Sequence, residues 1–207
     1  MPIPTLTTND LTRRQFTLGL AAAAALVLMP RDALALTDAQ AKGLVDKLVA
    51  EINSVIASGR SESAMISDFE RIFARYADVN IIAQSCLGAD ARRFNASQIA
   101  AYTQAFRGYI ARKYGKRFRE FIGGRIEVNG ARAVKSWHEV VGTAYLRGEA
   151  PFEVKFLVSD RSGQNLFFDM VIEGVSMRLS ERTEIGAMLD RRGGDIAALT
   201  ADLQRAG

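Results

Sequence analysis

The chain has 207 residues, 48% of them hydrophobic and 24% charged, an ordinary globular composition with enough apolar material for one domain core. Its 27 basic and 23 acidic residues leave a net charge of +4 with both signs mixed, which argues against a nucleic-acid partner. A single cysteine, Cys86, excludes an intramolecular disulfide, and with a single histidine, His138, a zinc site of the usual kind lacks its ligands, so no metal or cofactor is expected.

Residues 1–35 read as an address. Arg13-Arg14 precede Gln15-Phe16-Thr17-Leu18, an apolar run from Leu20 to Met29 follows, and Ala33-Leu34-Ala35 makes a small-x-small site. The run is well short of the ~20 apolar residues a membrane helix needs, so a cleaved export signal is expected, cut after Ala35. The paired arginines with Phe16 and Leu18 resemble the twin-arginine export signal. An ordinary secretory signal or an uncleaved anchor would equally mean export. No cysteine lies near the cut, so a lipid-anchored mature form is not expected, and residues 36–207 read as one domain, monomeric and free in the periplasm.

Thr37-Asp38-Ala39-Gln40 has the pattern of a capping box. It opens a first helix whose apolar stripe runs from Ala41 through Val45, Leu48 and Ile52 to Ile56 and stops at Gly59. Ser61 is placed to cap a second helix with Met65, Ile66, Phe69, Ile72, Phe73 and Tyr76 inward; Asp78 is placed to cap a short third that ends before Gly88. Within the third, Cys86 reads as a small buried apolar residue. A longer fourth helix is predicted from Asn95 to Ile122, bent at Gly115, with Ile99, Tyr102, Phe106, Tyr109, Ile110, Tyr114, Phe118 and Phe121 on its apolar face. Helices thus fill about residues 37–122.

After Gly123-Gly124 the period changes to twofold, which predicts an antiparallel sheet of about four strands over residues 125–177. The strands fall near Arg125 to Val134, Glu139 to Leu146, Phe152 to Val158 and Leu166 to Met177, with turns at Asn129-Gly130, Gly148 to Pro151 and Asp160 to Gly163. Phe152, Val154, Phe156 and Val158 share one face of the third strand, and Leu166, Phe168, Met170 and Ile172 one face of the fourth, with Asp169 and Glu173 opposite. Two short helices, about 183–191 and 195–204, end the chain. The fold class is α+β, a helical N-terminal half followed by a small sheet.

Between Ala96 and Ile126 the bases Arg107, Arg112, Lys113, Lys116, Arg117, Arg119 and Arg125 face one acid, Glu120. Such a run suits an anionic headgroup, a membrane surface or an acidic partner, and equally a solvated helix face. A curved sheet under helices, of the nuclear-transport-factor-like (NTF2-like) shape, also houses isomerases and hydratases. The candidates for such chemistry would be Asp169 and His138, but alternation puts Asp169 opposite the buried face and His138 reads as a surface residue. No Ser/His/Asp order, phosphate loop or carboxylate cluster appears, so no catalytic residue is assigned.

The stretch Asp169-Met-Val-Ile-Glu-Gly-Val-Ser-Met177, followed by Arg182, resembles the D-V-x-I-E-G-V-S-L signature and downstream arginine of the MlaC, or toluene-tolerance, family. Leu87-Gly88, the helix ending in Ala111-Arg-Lys-Tyr114, the glycine break and the sheet agree with it in order. Departures are Gly88-Ala-Asp-Ala-Arg92 for the family's Gly-Arg-Tyr-Trp-Arg, about Leu166 for its tryptophan, and Glu181 for the tyrosine before the arginine. The hopanoid-associated HpnM proteins are a second, divergent branch to which the chain is similar.

The resemblance implies a curved sheet wrapped by helices and a periplasmic, non-enzymatic carrier of phospholipid or hopanoid. Its partners would be an inner-membrane MCE-domain/ABC transporter complex and an outer-membrane lipoprotein. Apolar faces at regular spacing ordinarily make a solid core; the resemblance turns Phe106, Ile110, Tyr114, Phe118, Phe121, Val154, Phe156, Val158, Phe168, Met170 and Ile172 into candidate lipid-binding walls. The basic run makes Arg112, Lys116 and Arg117 candidates for headgroup or membrane docking, and the two charged members of the signature, Asp169 and Arg182, are candidates for a structural ion pair or hydrogen-bond clamp that positions the last helices.

Overall fold

The computed structural model describes residues 36–116 and 121–207. The expected leader with its cut after Ala35, and Arg117, Phe118, Arg119 and Glu120, lie outside the described residues. Helix α1 (Asp38–Ala57) begins at the capping box: Gln40 N donates to Thr37 Oγ1 at 3.2 Å and Thr37 N to Gln40 Oε1 at 2.9 Å. Helix α2 (Glu62–Tyr76) is capped by Ser61 and α3 (Val79–Leu87) by Asp78. A 3-10 turn, Gly88–Arg93, leads to α4 (Ala96–Gly115), capped by Asn95 in a second capping box with Gln98.

Helix α4 ends at Gly115, short of the expected Ile122, and residues 121–123 form a turn. At its end α4 lies against α2 so closely that a Cβ on Gly115 would sit 2.7 Å from Ile66 Cγ1 and 3.3 Å from Ile66 Cα. Glycine here serves close helix approach.

The sheet is an antiparallel meander of five strands in chain order: β1 (Arg125–Val134), β2 (Trp137–Tyr145), β3 (Phe152–Ser159), β4 (Leu166–Ile172) and the two-residue β5 (Val175–Ser176). Asn129-Gly130, expected as a turn, is a register shift inside β1. The hairpin turns instead at Lys135-Ser136, where Lys135 takes a φ of 55°. Val140, Ala144, Val154, Phe156 and Val158 form the buried face.

A second register shift lies opposite Leu157 and Val158 in the β3–β4 pair. It puts Phe167, not Phe168, opposite Val158 and buries it edge-on against Phe156 at 6.0 Å, while Phe168 stays half-buried. Met170 and Ile172 keep the expected face, opposite Phe156 and Val154. The β1 edge is occupied by α1, where Asn53 accepts from Ile126 N and donates to Ile126 O, both at 3.0 Å.

Helix α5 (Met177–Arg191) starts earlier than the expected 183, and α6 (Ile196–Arg205) follows. Met177, placed by pattern at the end of a strand, is helical because Ser176 caps the helix: its hydroxyl accepts from Leu179 N at 3.1 Å. Helix α6 packs on α4, and Tyr102, Phe106, Tyr109, Ile185, Leu189, Leu199 and Leu203 fill the core.

Candidate functional site

Helices α1 to α5 and the β3–β4 face leave a cavity of about 120 Å³. Its walls are Leu48 and Ile52 of α1, Phe69, Ile72 and Phe73 of α2, Ile82 of α3, Ile110, Ala111 and Gly115 of α4, and Phe156, Phe167 and Met170 of the sheet. Leu48, Ile52, Phe69, Ile72, Phe73, Ile110 and Phe156 come from apolar stripes at the period of their own elements, whereas Phe167 reaches the wall through the register shift of β4, so most of the cavity is built by the stripes that fold the chain.

Among the expected lipid-binding residues, Ile110, Tyr114, Phe156, Phe168 and Met170 line this space. Phe106, Val154 and Val158 do not: they are buried in solid core, Phe106 between the rings of Tyr102 and Tyr109 at 5.9 and 6.4 Å. Ile172 and Phe121 pack against the core away from the cavity wall. The α1 and α2 residues were legible as inward stripes, but periodicity does not tell a cavity wall from a filled interior.

The polar residues in the wall are Tyr114, Asp169, Arg178 and Glu181, which gather around the start of α5. Asp169, expected on the solvent side, is buried because α5 folds over it. Its carboxylate accepts from Met170 N at 2.8 Å, Ser176 Oγ at 2.6 Å and Arg178 N at 3.0 Å, with Arg178 Nε at 3.6 Å. It is therefore the expected clamp, but on the first turn of α5 and with Arg178 rather than Arg182. The Arg182 guanidinium packs over Gly88, where a Cβ would lie 2.9 Å from Nη2.

Glu181 is buried beneath Lys113, whose Nζ donates to Glu181 Oε1 at 2.7 Å, and Tyr114 Oη donates to the same oxygen at 2.5 Å. Lys113 also pairs with Glu184, which accepts from Tyr109 Oη at 2.8 Å. Burial alone would lower the Lys113 pKa, but the hydrogen bonds and charges of Glu181 and Glu184 outweigh it and hold it above its ordinary value. Burial pushes the Glu184 pKa up, and the hydrogen bonds from Lys113 and Tyr109 with the Lys113 charge more than reverse it. Tyr109 is raised by its burial and by the charge of Glu181.

The basic run is largely engaged within the protein. Arg112 donates to Ala206 O at 2.9 Å and Leu203 O at 2.5 Å, satisfying the carbonyls that end α6, and Lys116 Nζ donates to Gly207 O at 2.5 Å. Arg107 pairs with Glu70 and Arg125 with Glu127. Arg112 and Lys116, expected to dock a headgroup or membrane, are thus placed on the chain's own C-terminus. His138, expected at the surface, is tucked against α1 with Nδ1 2.6 Å from Asp38 Oδ1 and lies off the cavity wall.

The family model described as MlaC protein matches residues 42–205. No curated protein matches the sequence. Among solved structures, the chain is similar to a phospholipid-binding protein from Ralstonia solanacearum in complex with a phospholipid. The TM-score is 0.68 at 16% identity, over 80% of this chain and 95% of that one. At that identity the likeness is one of fold.

Proposed function

The chain belongs to the MlaC protein family, and on that premise we propose that it is a carrier that holds the tails of a phospholipid between sheet and helices. The observation that carries this reading is the apolar cavity, whose few polar wall residues gather around the start of α5. Such a space suits an amphiphile and offers a reacting group little: the Asp169 oxygens are taken by Met170, Ser176 and Arg178. At ~0.8 kcal/mol per buried CH₂, two acyl chains of about 16 carbons cost roughly 25 kcal/mol to expose to water, so free lipid does not cross an aqueous gap. A wall about as apolar as a bilayer makes transfer nearly balanced, and a partner sets its direction.

The finer reading extends this. The protein is exported through its twin-arginine leader, works as a monomer in the periplasm, and passes lipid between an inner-membrane MCE-domain/ABC transporter complex and an outer-membrane lipoprotein. A cavity of about 120 Å³ accommodates no more than about ten water-sized groups, fewer than two acyl chains require, so loading parts the elements around it, α2 from α4 among them. Native mass spectrometry with lipid extraction tests the reading. A bound phospholipid is expected; a hopanoid would keep the carrier and move it to the HpnM branch. A bare protein mass with no uptake from vesicles would remove the carrier reading.

A further inference from the structure

The two oxygens of Glu181 are treated unequally. Oε1 takes both Lys113 Nζ and Tyr114 Oη, whereas Oε2 is buried with no hydrogen-bond partner among the described residues. The Glu181 side chain is 3% exposed and stands in the cavity wall. Arg178, one helical turn earlier on α5 and in the same wall, is ion-paired with Asp169 Oδ2 at 3.6 Å, too far for a hydrogen bond, so its buried Nε has no hydrogen-bond acceptor among the described residues. An acceptor and a donor without hydrogen-bond partners among the described residues thus lie three residues apart on α5, in the wall of an otherwise apolar space. A buried polar atom left unpaired is costly, and a ligand that supplies the missing partner recovers that cost.

We infer that Glu181 recognises a hydrogen-bond donor at the polar end of the cargo lipid, a primary ammonium or a hydroxyl, while Arg178 Nε–H meets a neighbouring acceptor oxygen of the same molecule. The inference rests on the carrier reading and adds selectivity to it. Acyl chains lie against Leu48, Ile52, Phe69 and Phe156, and the donor end turns toward the start of α5. A headgroup whose nitrogen is fully methylated offers Glu181 no N–H, and burying it there leaves Oε2 unpaired.

The test uses the purified, delipidated protein and mixed vesicles of matched lipids with identical acyl chains, reading the bound ratio by lipid extraction and mass spectrometry. Phosphatidylethanolamine competes against phosphatidylcholine, a pair alike in net charge but differing in N–H donors. Phosphatidylglycerol competes against phosphatidylmethanol, alike in charge but differing in hydroxyls. A preference of roughly tenfold for the donor-bearing member of at least one pair is expected, the worth of one charge-assisted hydrogen bond. The pair that shows it distinguishes ammonium from hydroxyl.

Equal uptake in both pairs overturns the inference and leaves the carrier reading standing; no uptake of any lipid overturns both. In Glu181→Gln the ammonium preference should fall to within about twofold. A full preference in that variant would take the role away from Glu181. Because the competition in the unaltered protein needs no substitution, the inference stays testable even if Glu181→Gln folds poorly.

Discussion

Glu181 and Lys113 show how a buried carboxylate is tolerated in this protein. Lys113→Met removes the charge and one of the two donors that face Oε1, and should destabilise the fold by about 2 kcal/mol in urea denaturation at neutral pH. The pH dependence of that loss follows from the shifted groups. Glu184, held below its ordinary value, contributes stability above the unfolded carboxylate pKa and loses it as pH falls through the folded one; Lys113, held above its ordinary value, contributes below the unfolded lysine pKa and loses it as pH rises through the folded one. The gap between the unaltered protein and Lys113→Met should therefore be widest near neutrality and narrow at both extremes. Cys86 offers a separate check: burial pushes its thiol pKa up to about 12, with the Glu181 charge adding to the shift. An aromatic disulfide reagent at pH 8 should react with it only after unfolding.

At the level of elements, two contacts decide where helices stop and start. Gly115 lets α4 meet α2, and Gly115→Ala, which places a methyl 2.7 Å from Ile66 Cγ1, should cost about 1–2 kcal/mol despite alanine's better helix propensity. Asp169 holds the first turn of α5 through Ser176 Oγ and Arg178 N. Asp169→Ala should cost about 3 kcal/mol, read by urea denaturation, and should loosen amide exchange in α5 before it affects α1. The clamp was visible in the sequence as a charged signature, but its true partner was not. Arg182 was the candidate because it follows the motif, while only the folded turn brings Ser176 and Arg178 back to Asp169. The burial of Phe167 was hidden for a similar reason: a twofold pattern assigns it to the face opposite Met170 unless a bulge intervenes, and the residue types of Leu166-Phe-Phe-Asp169 do not announce one.

For the whole molecule the test is whether loading requires the helices to part. Replacing Ile66→Cys together with Gly115→Cys puts two thiols where a Cβ on Gly115 would lie 3.4 Å from Ile66 Cβ, close to disulfide spacing, and removes the Cγ1 clash. Oxidation should slow lipid uptake from vesicles at least roughly tenfold and reduction should restore it. A cavity that loads without α2 leaving α4 would show equal uptake in both states. Bound lipid should also stabilise the fold, by about 2.7 kcal/mol when free lipid is a hundred times its Kd.

The sequence by itself determined the local grammar of this protein. The caps at Thr37, Ser61 and Asp78, the start of the fourth helix at Asn95, the apolar stripes of four helices, the switch to a twofold period after Gly124 and the family signature at Asp169 are all short-range patterns, and the fold honours them. Tertiary structure decided which apolar residues line a space and which fill one, sending Phe106 into the core and Phe73 to the wall. It also spent Arg112 and Lys116 on the C-terminus and put Glu181 under Lys113. Periodicity reports only that a side chain points inward; the space it meets, and the partner a charge finds, are set by elements distant in sequence and exist only once those elements have packed.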